Sequence, residues 1–201
     1  MTKKLILLDH GHGGYKEGVT LTPDRGIYTK KSKLSEGQLN RAAVHSIAFE
    51  LSYLGYNVHI IASGNDDVSL KDRVAEVNRL YDIYNCALFS VHHNGFHDSR
   101  VKGFELFTSL GETVSDAIAE DMARVFMCLH PERKFRKLGH VGKASKEAPF
   151  YILRRTVCPA VLIEWGFMTN KQEREYITSP RGRADLVNYM TKSIIQTFNK
   201  W

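Results

Sequence analysis

Cys86-Ala87-Leu88-Phe89-Ser90-Val91, followed at once by His92-His93-Asn94, is the stretch on which the fold turns. A strand with one wet face alternates apolar and polar residues. This run does not alternate, so it reads as a strand covered on both faces, as in a parallel sheet between helix layers. Working outward, Leu5 to Leu8 is a second short apolar run, leading into Asp9-His10-Gly11-His12-Gly13-Gly14. Tyr56 to Ala62 and Pro159 to Glu164 read as further strands, the last closed by Trp165-Gly166-Phe167. Gly103 to Thr108 reads as a strand nearer a sheet edge.

Helical spacing fills the gaps. Ser35 can cap a helix in which Leu39, Ala42, Ala43, Ile47, Leu51 and Leu54 recur on one side, ending at Gly55. Ser69 can cap a second, faced by Leu70, Val74, Val77 and Leu80. A third is expected over Val114 to Leu129, stopped by His130-Pro131, and a last one from about Arg181 to Phe198. Strands alternating with helices predict a three-layer α/β/α single domain with a mostly parallel central sheet, residues 1–201 forming one catalytic-sized unit. Tyr15 to Lys33 reads as an exposed loop and Glu132 to Glu147 as a basic, irregular segment.

The bulk numbers suit that reading. Of 201 residues, 43% are hydrophobic and 25% charged, which argues against long disordered tracts. The net charge of +6 fits a polyanionic partner as well as it fits simple solubility. A nucleic-acid role would rest on that charge alone, so none is expected. Cys86, Cys128 and Cys158 are odd in number, form no CxxC pair and sit in apolar stretches, so they read as small buried hydrophobes. The run after Lys3-Lys4 is too short for a signal peptide, and no stretch approaches transmembrane length. Synthesis in the cytoplasm is the expectation. Nothing in the sequence speaks to oligomeric state.

In open α/β sheets, sites form beyond the carboxyl ends of strands. Here one strand ends near His10 and His12, another at His92 and His93, another at Glu164, and Glu36 opens the first helix. Two imidazoles and a carboxylate are a known catalytic zinc set, and a further carboxylate can move the proton that amide hydrolysis requires. Glu164 is the least easily dismissed, because a carboxylate ending an apolar strand is costly without a partner. Glu36 by itself would pass as an early helix carboxylate favourable to the dipole. His45, His59, His97, His130 and His140 are read as ordinary histidines.

At these residues the sequence resembles the zinc-dependent N-acetylmuramoyl-L-alanine amidases of the amidase-3 family. Asp9-His10-Gly11-His12-Gly13-Gly14 is similar to the family's Asp-Pro-Gly-His-Gly-Gly, and Ser35-Glu36-Gly37-Gln38-Leu39-Asn40 to its ligand-bearing helix start. Ser90-Val91-His92-His93-Asn94 resembles Ser-Ile-His-Ala-Asn, and Pro159 to Asn170 resembles Pro-Ala-Val-Leu-Val-Glu-x-Gly-Phe-x-(Ser/Thr)-Asn. Phe150 to Arg154 is similar to a stretch near the family's substrate cleft. The resemblance implies Zn²⁺ on His12, Glu36 and His92, with Glu164 as the catalytic acid and base. It implies peptidoglycan as substrate, cut between N-acetylmuramic acid and L-alanine.

The departures are His10 and His93, each able to replace the neighbouring ligand or support it from behind. Asn94, a backbone N–H or Arg154 is the expected oxyanion donor. Arg133, Lys134, Arg136, Lys137 and Lys143 form a basic cluster that either steers the protein to an anionic wall or is merely solvated. With no leader or wall-binding repeat, the pattern resembles a compact phage endolysin more than a secreted autolysin. The competing readings are a zinc peptidase acting within the stem peptide, a deacetylase, or an inactive peptidoglycan-binding module.

Overall fold

The apolar runs become strands of one sheet, and the helical stripes close both its faces. The computed structural model describes residues 3–13, 15–16, 19–20, 27–29, 32–64, 66–137 and 143–200. In chain order the elements are β1 (Lys4–Asp9), β2 (Tyr15–Lys16), β3 (Val19–Thr20), β4 (Ile27–Thr29), β5 (Ser32–Leu34) and α1 (Glu36–Tyr53). Then come β6 (Val58–Ile61), α2 (Leu70–Tyr81), β7 (Asn85–Asn94), β8 (Glu105–Thr108) and α3 (Val114–Leu129). The chain finishes with β9 (Lys146–Glu147), α4 (Tyr151–Arg155), β10 (Ala160–Phe167), α5 (Lys171–Thr178) and α6 (Pro180–Phe198).

The main sheet runs β6-β1-β7-β10-β8-β9. All its pairings are parallel except β10 with β8. Because side chains alternate along a strand, successive residues of β1 feed opposite layers. Ile6 and Leu8 join a cluster with residues of α1, α3, α5 and α6. Leu5 and Leu7 join another with Val74 and Val77 of α2 and Ile152 and Leu153 of α4. That is the three-layer single-domain α/β/α architecture, with β7 covered on both faces as its unbroken apolar run requires.

Several local expectations needed correction. Strand β8 lies beside the sheet edge as expected, but the edge itself is β9, which pairs parallel to β8 inside the segment read as irregular. The loop from 15 to 33 carries two short antiparallel pairs, β2 with β3 and β4 with β5. Helices α4 and α5 had no expectation at all. Cys86 and Cys158 are buried, but Cys128 is exposed, on the outer side of α3 beside Met127. His130 is buried among Phe126 and Trp165, and His140 lies outside the described residues.

The topology fixes where a site can form. Leaving β1, the chain passes through α1 to β6 on one side, then through α2 to β7 on the other. The reversal leaves a crevice outside the carboxyl ends of β1 and β7, the usual ligand position in such sheets.

Candidate metal centre

Gly11 and His12, just past the end of β1, both have positive φ, at 51° and 46°. A Cβ on Gly11 would lie 2.0 Å from His92 Cε1, so only glycine lets the His92 ring lie against this turn. For His12 the left-handed backbone is a small strain, sustained by its surroundings. Arg73 of α2 donates from Nη2 to the His12 carbonyl at 2.7 Å and from Nη1 to Asp9 Oδ1 at 2.6 Å. Asp9 Oδ2 accepts from the Gly11 N–H at 3.1 Å and from Ser90 Oγ at 2.7 Å. Burial pushes the Asp9 carboxyl upward, but Arg73 and Ser90 more than offset it and hold the group below its ordinary range.

Glu36 stands between two rings. Its Oε2 lies 3.0 Å from His12 Nε2 and its Oε1 2.9 Å from His92 Nδ1. Ser35, the N-cap of α1, accepts from Gln38 N and sets the helix start that carries this carboxylate. Oε1 also accepts from the His93 backbone N–H at 3.2 Å and from Asn40 Nδ2 at 3.3 Å. Burial opposes ionisation of Glu36, yet the contacts with His12 and His92 prevail and hold it far below the usual carboxylate range. One ligand atom each from His12, Glu36 and His92 lies within 4.8 Å of the others. An ionised carboxylate beside two imidazoles is a donor set that fits a divalent cation with nitrogen and oxygen preference.

The two extra histidines are not in the ligand group. Both ring nitrogens of His10 lie 2.9 Å from backbone carbonyls, of Gly11 and Ala62. A neutral ring has one N–H, so it donates to one of them only. Burial lowers its basicity, outweighing what the carbonyls return. His93 Nδ1 donates to Asn40 Oδ1 at 2.7 Å, and Asn40 in turn reaches Glu36. Burial takes His93 down to about 4, so its ring is neutral at neutral pH. It therefore buttresses Glu36 through Asn40 and, although it lines the same cleft, is not one of the three residues whose ligand atoms converge.

Glu164 is half-buried on β10, in register with His92 on one side and Glu105 on the other. It lines one cleft of about 590 Å³ with His12, Glu36 and His92. Phe150, Tyr151 and Ile152 line the same cleft. Asn94 lines it too, with Nδ2 donating to Glu105 Oε2 at 2.7 Å and Oδ1 accepting from Gly95 N at 2.7 Å. Arg154 is exposed on α4 and does not line the cleft.

Asp9, Arg73 and Asn40 escaped the sequence reading. Asp9 ends an apolar strand just as Glu164 does, so the same desolvation argument applied to it. Arg73 falls on the Leu70, Val74, Val77, Leu80 stripe of α2, and a charge on an apolar stripe is a signal of buried pairing.

Fold and site together define a three-layer α/β protein with a candidate metal centre at the carboxyl ends of its central strands. The chain belongs to the Amidase_3 family, described as N-acetylmuramoyl-L-alanine amidase, whose model matches residues 6–196. It is 27% identical over 201 residues to the probable cell wall amidase LytH of Staphylococcus epidermidis, covering 98% of this chain and 59% of that protein. It thus spans little more than half of that relative's length. An endolysin of Bacillus phage SPP1 is 26% identical over 199 residues, covering 98% of this chain and 66% of the endolysin. Among solved structures, an N-acetylmuramoyl-L-alanine amidase from Clostridium difficile 630 shares the fold with a TM-score of 0.83 at 23% identity, covering 99% of this chain and 98% of that one.

Proposed function

We propose that this chain is a zinc-dependent N-acetylmuramoyl-L-alanine amidase that hydrolyses the bond between N-acetylmuramic acid and L-alanine in peptidoglycan. Residues 1–201 act as one catalytic domain, and the place of action is the cell wall. The observation that carries the reading is Glu36 wedged between His12 and His92, with Glu164 in the same cleft.

In this reading His12, Glu36 and His92 hold the ion. Zinc held there supplies Lewis acidity, polarising the scissile carbonyl and making water acidic enough to attack near neutral pH. Glu164 takes a proton from the attacking water and returns one to the departing alanine nitrogen. Asn94 faces the cleft with one amide hydrogen committed to Glu105, which fixes how its amide is presented. His93 and Asn40 hold Glu36, while Asp9 and Arg73 hold the turn bearing His12.

The test is mass analysis of purified peptidoglycan after digestion. Intact stem peptide beginning with an L-alanine amine is expected. Fragments cut inside the stem would favour a peptidase instead, and retention on the wall with no amine released would favour a binding module.

A further inference from the structure

Directly after Glu164, β10 breaks register. Glu164 pairs with His92 and Phe167 with Asn94, so three steps on β10 match two on β7. Such a bulge re-aims the side chains beside it. This one is gripped from outside the cleft by an ion pair that nothing in the amidase chemistry uses.

Arg133 Nη2 donates to the Trp165 carbonyl at 2.6 Å. Glu173 Oε2 accepts from the Phe167 N–H at 2.8 Å and from the Gly103 N–H, at the entry to β8, at 2.9 Å. Arg133 Nη2 and Glu173 Oε1 lie 3.6 Å apart, with both side chains nearly buried. The guanidinium also sits 4.2 Å from the centre of the Trp165 ring and 4.7 Å from that of Tyr176. Gly166 leaves no slack, since a Cβ there would come within 3.3 Å of Arg133 Nη2 and 3.4 Å of Glu173 Oε2. Both polar backbone groups flanking Gly166 are thus held by one charged pair.

We infer that Arg133 and Glu173 are positioning residues that fix the β10 bulge and thereby the aim of Glu164. The inference rests on the amidase reading of Glu164. Neither residue lines the cleft that holds Glu164 and the candidate metal ligands. Their effect therefore belongs to the chemical step and leaves substrate capture and metal content alone. A misplacement of about 1 Å at a reacting group can lower a rate by about 10²-fold.

The experiment uses the full chain, comparing wild type with Arg133→Gln, Arg133→Lys, Glu173→Ala and Glu173→Gln. Kinetics of amine release from soluble muropeptide, metal content and Tm are measured for each. Expected are a fall in kcat of about tenfold to a hundredfold for Arg133→Gln and Glu173→Ala, with KM and metal content unchanged. Glu173→Gln keeps an acceptor oxygen and regains most of kcat. Placed in a Glu164→Gln background, Arg133→Gln adds no further loss, because the group it aims has already lost its function. If Arg133→Gln does not fold, Arg133→Lys and the Glu173 pair carry the same comparison. A lowered Tm with kcat unchanged would overturn the inference, and so would a full additional loss in the Glu164→Gln background. A wild type that binds metal but releases no amine overturns the amidase reading itself, and this inference with it.

Discussion

In the proposed mechanism Glu164 and His12 carry separable roles, one moving the proton and one holding the metal. Glu164→Gln is expected to keep its metal and lose amide hydrolysis by at least about 10²–10⁴-fold, the usual contribution of a positioned general base. Metal content and single-turnover rate check it together. His12→Ala is expected to lose the metal, whereas His10→Ala keeps it, because the His10 ring is occupied by the Gly11 and Ala62 carbonyls. Stoichiometric zinc in His12→Ala would contradict the assignment. Asp9→Asn strands the buried Arg73 guanidinium, and losing one partner of such a pair costs about 3–5 kcal/mol, readable by urea unfolding. The sign with pH follows from the lowered Asp9 carboxyl. Its stabilisation is complete above the unfolded aspartate value of about 3.9. It disappears as pH falls below that through the lower folded value, so wild type loses stability on acidification more steeply than Asp9→Asn.

Element by element, strong periodicity was legible and short or weakly apolar pieces were not. Helices α1, α2, α3 and α6 stood out because each repeats an apolar face against the sheet, and the caps Ser35 and Ser69 were readable beforehand. Helix α5 was missed because Ile177 is its one buried residue, leaving no stripe to see. Its signal was Asn170 with Glu173 three residues on, since Asn170 Oδ1 accepts from Glu173 N at 3.2 Å. Asn170→Ala is expected to cost about 1 kcal/mol, lowering Tm by about 2–4 °C in a scanning measurement. Edge strand β9 is two residues long, too short for a period-2 pattern to register. The β10 bulge could not be read either, because register belongs to strand pairs and not to one strand's sequence.

Over the whole molecule, the carboxyl end of the sheet gathers residues from four distant segments, and this was legible because three of them carry polar groups toward the end of an apolar strand and the fourth, Glu36, opens a helix. What the sequence withheld was direction. By residue type His10 and His12, or His92 and His93, are alike, and it was the family resemblance that favoured His12 and His92; the turn at Gly11 and the alternation of β7 are what bring those two rings against Glu36. Three of the five charges in the basic cluster are paired. Arg133 is spent on Trp165 and Glu173, Arg136 on Glu105, and Lys143 on Glu147. With those charges neutralised locally, Lys134→Glu with Lys137→Glu is expected to change the lysis rate by less than about threefold at physiological salt, where the screening length is about 8 Å. A larger drop that vanishes in high salt would restore electrostatic steering. The most direct test of the central claim is metal content measured together with amine release from peptidoglycan, for wild type beside Glu164→Ala. Zinc in both proteins with amine release from wild type alone is the predicted result; a wild type that takes up no zinc even after reconstitution would contradict it.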